Sequence, residues 1–158
     1  MTTRDEQATA LVPQVGTELT NSVAGTRTVF RATAASTRGE HVEVEQTYPP
    51  HSAPPPLHLH PQQDEEFTVR TGRLHAVVGG VERDLLAGER LEVPRGTPHR
   101  MWATAEEPTV VLWRTTPALR TDQLFCDLWS VASENGFVPD LMRAYEVTLR
   151  YAEEFQLC

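Results

Sequence analysis

Residues 56–72, Pro-Leu-His-Leu-His-Pro-Gln-Gln-Asp-Glu-Glu-Phe-Thr-Val-Arg-Thr-Gly, place two histidines and a carboxylate at short, regular intervals. His58 and His60 are two residues apart, and alternate side chains of an extended strand share one face, so both imidazoles can point at one spot. Glu65 follows after four intervening residues, and Gly72 after six more. This spacing predicts a group of ligands carried by extended chain.

A second stretch, residues 88–99 (Gly-Glu-Arg-Leu-Glu-Val-Pro-Arg-Gly-Thr-Pro-His), ends in another histidine, His99. Imidazole nitrogens and a carboxylate oxygen suit Fe, Mn, Ni, Co, Cu and Zn. A six-coordinate metal held by His58, His60, Glu65 and His99 would keep two positions open for water, oxygen or substrate. The alternative is that these are ordinary strand histidines that form hydrogen bonds. Four spaced donors favour the metal site.

The flanking segments read as short strands joined by glycine and proline turns. Residues 41–47 alternate, with Val42 and Val44 on one face, and His41 is expected on the exposed face and not as a ligand. Gly79-Gly80 predicts a tight hairpin, because adjacent glycines allow the positive φ that such turns need. Strands at 8 to 12 residue intervals indicate an all-β sandwich or barrel, and the pattern alone leaves both open.

Strand parity also predicts which side chains line the interior. Phe67 shares a face with Glu65, while Met101 and Ala103 share one with His99, so these three are expected to line a substrate cavity beside the metal. A proline-rich segment, residues 48–56, leads directly into the histidines and is expected to run near the site. Its His51 is a further candidate for the cavity, against the alternative of a solvent-exposed loop histidine.

These two stretches together resemble the paired motifs of the cupin superfamily, HxHx4Ex6G and Gx5PxGx2H, and the match covers residues 58–99. One position departs from the family pattern: Ala103 stands where an asparagine usually closes the second motif. The resemblance implies a double-stranded β-helix, which is a jelly-roll barrel. It also implies one divalent transition metal bound by the four residues named above.

The hydrophobic period changes after Pro117. Leu124, Phe125, Leu128, Trp129 and Ala132 recur at helical spacing, and Asn135-Gly136 ends that segment. A second helix after Pro139 has one apolar stripe, formed by Leu141, Met142, Tyr145, Leu149 and Ala152. We therefore expect a cupin barrel with an N-terminal arm over residues 1–118. Residues 119–158 are expected to form a helical extension that packs on the outer sheet of the barrel or is shared across a homodimer.

The composition excludes several functional classes. The formal charge of −8 argues against nonspecific nucleic-acid binding, and the absence of lysine removes any Schiff-base chemistry. No apolar run approaches the length of a membrane span, and residues 1–10 are polar. Two cysteines with no pairing pattern fit a reduced cytoplasmic setting.

The resemblance is to small quercetin-dioxygenase-like cupins and to cupins of aromatic polyketide pathways. It implies an enzyme that uses a metal and oxygen on an enol or phenol held in the barrel, with Glu65 as catalytic base. The alternatives are a non-redox cyclase or isomerase of a polyketide-type substrate, and a non-catalytic cupin that binds a small ligand.

Overall fold

The computed structural model describes residues 11–158, which form two antiparallel sheets and two helices. The helices are α1 (Thr121–Glu134) and α2 (Leu141–Leu149). In chain order the strands are β1 (Glu18–Asn21), β2 (Thr26–Ala32), β3 (Val42–Tyr48), β4 (His58–Leu59), β5 (Asp64–Thr71), β6 (Arg73–Val78), β7 (Val81–Leu86), β8 (Arg90–Val93), β9 (His99–Ala103), β10 (Thr109–Thr116) and β11 (Gln156–Leu157).

The two sheets have the order β1-β2-β3-β10-β5-β8 and β11-β4-β9-β6-β7. Consecutive strands such as β5 and β6, or β9 and β10, lie in different sheets, so the chain crosses repeatedly from one sheet to the other. This crossing is the jelly-roll arrangement. The expected all-β barrel with a C-terminal helical extension is confirmed.

The barrel core follows the predicted parity. Phe67 and Val69 on β5 are buried together with Leu74, Met101 and Val111 from both sheets. Trp113 on β10 lies opposite Phe67 on one side and Val44 on the other. Residues paired across antiparallel strands share a face, so these side chains mark the inner face of the six-stranded sheet.

Gly72, the last residue of the first motif, has a structural reason to be glycine. It turns the chain from β5 into β6 with φ +83°, a conformation that L side chains rarely adopt. A Cβ at this position would lie 2.8 Å from the Cα of Thr109. The motif glycine therefore lets the turn between β5 and β6 pass close to the start of β10.

Helix α1 packs on the inner face of the six-stranded sheet, which corrects the expectation of an outer position. Its Phe125 ring lies 5.1 Å from that of Trp113, and Cys126 is buried with Phe30 and Val44. The helix thus covers one end of the barrel. Helical periodicity shows that a helix has an apolar side, but it does not show which face of a sheet that side covers.

The apolar stripe expected on α2 is exposed, which is a second correction. Leu141, Met142 and Leu149 are 78%, 69% and 58% exposed, whereas Val147 is buried against α1. The buried side is a different face of the helix, because Val147 and the following Tyr151 make the contact instead. None of the described helices is long and apolar enough to span a membrane.

The N-terminal region departs from the expected loose arm. Residues 1–10 lie outside the described residues, but Glu18–Asn21 is strand β1 and pairs with β2. Strand β2 begins at Thr26, after a turn. His41, expected to be exposed, keeps only 17% of its side-chain surface accessible.

Candidate metal centre

Short pieces of strand and one corner bring the two motifs together. His58 on β4 lies directly opposite His99 on β9. The backbone N–H of Gly96 donates to the carbonyl of His60, with the two atoms 2.8 Å apart. This bond joins the Pro-x-Gly corner of the second motif to the histidine of the first. Strand β4 ends at Leu59, so His60 is positioned by this contact and not by a sheet ladder.

The three imidazoles are held in the same tautomer. Their Nδ1 atoms lie 2.8, 2.6 and 2.9 Å from the backbone carbonyls of Pro56, Glu154 and Thr97, for His58, His60 and His99 respectively. A carbonyl only accepts, so each Nδ1 carries a hydrogen, and each Nε2 presents a lone pair when its ring is neutral. The three residues offer ligand atoms within 4.8 Å of one another.

Glu65 completes the cluster from β5. Its two carboxylate oxygens lie 3.1 Å from Nε2 of His60 and 3.0 Å from Nε2 of His99. Oε2 of Glu65 and both Nε2 atoms are buried without a hydrogen-bond partner. Lone pairs facing a carboxylate repel it unless a cation or a proton lies between them. Buried polar atoms are rarely left unpartnered, so this arrangement fits a bound metal ion.

The electrostatics of the cluster agree with this reading. Burial alone would raise the pKa of the Glu65 carboxyl, but the His60 and His99 imidazoles lower that pKa to about 2. Burial lowers the pKa of His58 to about 4, against the opposing effect of the Pro56 carbonyl. Glu65 is therefore ionised and His58 neutral at pH 7, which are the states that bind a metal. Burial lowers the pKa of His60, but the Glu65 carboxylate outweighs burial and raises that pKa, so a metal would compete with a proton at this ring.

A cavity of about 470 Å³ opens onto His58, Glu65 and His99. Its walls are mainly apolar and include Phe67 and Met101, as the strand parity predicted. The proline-rich segment forms part of the rim through Pro49, Ser52, Ala53 and Pro55. A small organic molecule of mixed character fits such a lining.

Two of the four expected cavity residues lie elsewhere. His51 is on the surface, and its imidazole lies 2.9 Å from the Glu106 carboxylate, away from the cavity lining. Ala103 is buried on the inward side of β9 but does not line the cavity. Its backbone N–H donates to Oγ of Ser52, so the proline-rich segment covers it.

Several residues of the site escaped the sequence reasoning. Trp113 and Tyr48 line the cavity, and enclosure raises the pKa of the Tyr48 hydroxyl. Phe125 lines it from α1. The strand alternation of residues 109–115 could have predicted that Trp113 points inward, because Trp113 lies on the same face of the strand as the buried Val111. No local signal marks Phe125, because its place depends on the packing of α1.

The model of the cupin domain family matches residues 44–114. Oxidoreductase iacF from Pestalotiopsis fici is 46% identical over 63 residues, which is 37% of this chain and 31% of that protein. The chain thus spans about a third of the length of this curated relative.

Solved structures show the same fold at low identity. A predicted oxalate decarboxylase from Thermotoga maritima is similar with a TM-score of 0.55 and 16% identity, over 58% of this chain and 80% of that one. The cupin domain of Schizosaccharomyces pombe Cnp3 has a TM-score of 0.53 and 11% identity, over 58% and 64%. The family match, the jelly roll and the two motifs agree that residues 44–114 form a cupin domain.

Proposed function

We propose that this cupin is a metal-dependent oxidoreductase that acts on a small enol or phenol in its cavity, with the chemistry of a dioxygenase. One observation carries the proposal: Nε2 of His60 and of His99 face the Glu65 carboxylate, with His58 in the same cluster, beside a largely apolar cavity. The oxidoreductase name of the Pestalotiopsis fici relative supports the redox assignment.

His58, His60, His99 and Glu65 would hold one divalent transition metal, for which Fe, Mn, Ni, Co, Cu and Zn all suit the donor set. When bound, a redox-active ion of this kind supplies Lewis acidity and electron exchange with oxygen. The apolar walls, among them Phe67 and Met101, would hold the hydrocarbon part of the substrate and exclude water.

Glu65 would accept the proton of the substrate hydroxyl at a carboxylate oxygen, so that the substrate reacts as its anion. A carboxylate is a weak base, and the lowered pKa of Glu65 makes this one weaker still, so its partner must be an acidic hydroxyl. Enols and phenols meet that requirement and simple alcohols do not. Trp113 donates to Oε1 of Glu65 and so keeps the carboxylate oriented toward the cavity.

The first experiment is metal analysis of the purified protein, followed by oxygen uptake against a panel of phenolic and enolic compounds. Glu65→Gln should retain metal and lose turnover by roughly 100-fold or more, the usual scale for a general base. Glu66→Gln is the matched control, because the neighbouring Glu66 lies on the other face of β5 and pairs with Arg90.

Two results would contradict the proposal. If Glu65→Gln keeps both metal and full activity, Glu65 is not the base. If no compound consumes oxygen with Fe, Mn, Ni, Co or Cu, the dioxygenase assignment gives way to a non-redox cyclase or to ligand binding.

A further inference from the structure

The last eight residues of the chain return to the barrel and pair with the strand that carries His58. Strand β11 pairs antiparallel with β4, placing Leu157 opposite His58 and Gln156 opposite Leu59. The backbone N–H of Cys158 donates to the carbonyl of Leu57 at 3.1 Å. The C-terminal segment is thus the edge strand beside the first metal motif, far beyond the residues that match the cupin family model.

Two residues of this segment contact the histidines. The carbonyl of Glu154 accepts from Nδ1 of His60 with the atoms 2.6 Å apart. The ring of Phe155 stacks on His58, with centroids 4.9 Å apart and planes 21° apart, and meets His60 edge-on at 6.0 Å. The first contact selects the tautomer of His60 that leaves Nε2 free, and the second restricts rotation of the His58 ring.

An ion pair between the buried Glu154 carboxylate and the exposed Arg120 guanidinium anchors the segment. The Glu154 carboxylate is 1% exposed, and its oxygens lie 3.0 and 3.3 Å from Nε and Nη2 of Arg120. The backbone N–H of Arg120 donates to the same carboxylate at 3.2 Å. The guanidinium also lies over the ring of Tyr151, 4.6 Å from its centroid. Arg120 directly precedes α1, so one residue fixes both the helix and the C-terminal segment at the histidines.

We propose that Glu154 and Phe155 are positioning residues of the metal centre and that Arg120 holds them in place. The inference rests on the proposed metal site. It adds that the four ligands bind the metal with full affinity only when the C-terminal segment is docked on the barrel. The carbonyl of Glu154 orients His60, and the Phe155 ring packs against His58 and His60.

The test uses the full chain with two substitutions, Phe155→Ala and Arg120→Gln. The affinity for Co²⁺ is measured by competition with a chelator, and the visible absorption of bound Co²⁺ reports its coordination. Loss of an outer partner of a metal ligand typically lowers affinity by about 10- to 100-fold, and we expect that loss in both variants together with a changed spectrum. Phe155→Trp should restore affinity and spectrum, because it restores an aromatic ring.

The controls are Arg143→Gln and Phe137→Ala, which change a surface ion pair and an aromatic contact elsewhere in the helical extension. A metal-free readout accompanies them: ¹⁵N NMR should show a single Nδ1-protonated tautomer of His60 in the wild type and a mixture in Arg120→Gln. Wild-type affinity, spectrum and tautomer in both test variants would overturn the inference and leave the metal site standing. A wild type that binds no Co²⁺ would remove the proposed site and the inference with it.

Discussion

The indole Nε1 of Trp113 donates a hydrogen bond to Oε1 of Glu65, with the two atoms 3.0 Å apart. The two residues lie on neighbouring strands, β10 and β5, and both point into the barrel. This bond leaves Oε2 of Glu65 as the oxygen directed at His99. It therefore assigns different roles to the two oxygens of one carboxylate, which residue spacing alone does not do.

Replacing this indole should cost stability because it leaves a buried carboxylate oxygen without its donor. Hydrogen bonds to charged groups contribute about 1.5–3 kcal/mol, so Trp113→Phe should lower the free energy of unfolding of the metal-free protein by about that amount. Urea denaturation measures it. Trp102→Phe is the control, since the half-buried Trp102 lies on the opposite face of β9. An equal loss of unfolding free energy in both variants would show that the hydrogen bond from Trp113 to Glu65 makes no specific contribution to stability.

Replacing a leucine by alanine should destabilise the protein more on α1 than on α2. Leu124 on α1 is 6% exposed, and Leu→Ala in a core typically costs about 2–5 kcal/mol. Leu149 on α2 is 58% exposed, so Leu149→Ala should change stability by no more than about 0.5 kcal/mol. Thermal and urea unfolding test the pair. A large loss in Leu149→Ala would mean that another chain covers α2 in solution.

The two cysteines should react very differently with an alkylating reagent. Burial raises the pKa of the Cys126 thiol to about 12, and the nearby Asp122 and Asp127 carboxylates add to that effect. Since the thiolate is the reactive form, raising the pH from 7 to 9 should leave Cys126 unmodified, while the exposed Cys158 reacts. Mass spectrometry counts the labels. Two labels on the folded chain at pH 8 would contradict the buried position of Cys126.

Ending the chain after Thr116 should give aggregated protein. The truncation removes α1 from Phe30 and Val44 and removes the edge strand β11 from β4. Exposed apolar clusters and unpaired strand edges favour association. Light scattering compares the two chains and also tests the homodimer, which stays a prediction. A truncated chain that remains soluble with an unchanged melting temperature would show that the extension is dispensable.

Much of the barrel was predictable because strand alternation and turn chemistry are local properties. The parity of Glu65, Phe67 and Val69, the Gly79-Gly80 hairpin and the burial of Met101 all follow from residues within a few positions of one another. The two-residue spacing in the first motif likewise predicted that His58 and His60 point at one spot. The exposure of the apolar stripe on α2 was not predictable, because two faces of a short helix can both be apolar.

Fixed spacings along the chain are enough to predict the candidate ligands and the fold family. The surroundings of those ligands depend on tertiary packing. Glu154 and Phe155 reach His60 and His58 across more than ninety residues, and Phe125 enters the cavity because α1 covers the inner face of the sheet. Contacts over such separations depend on how whole elements pack, and no local pattern of residues encodes them.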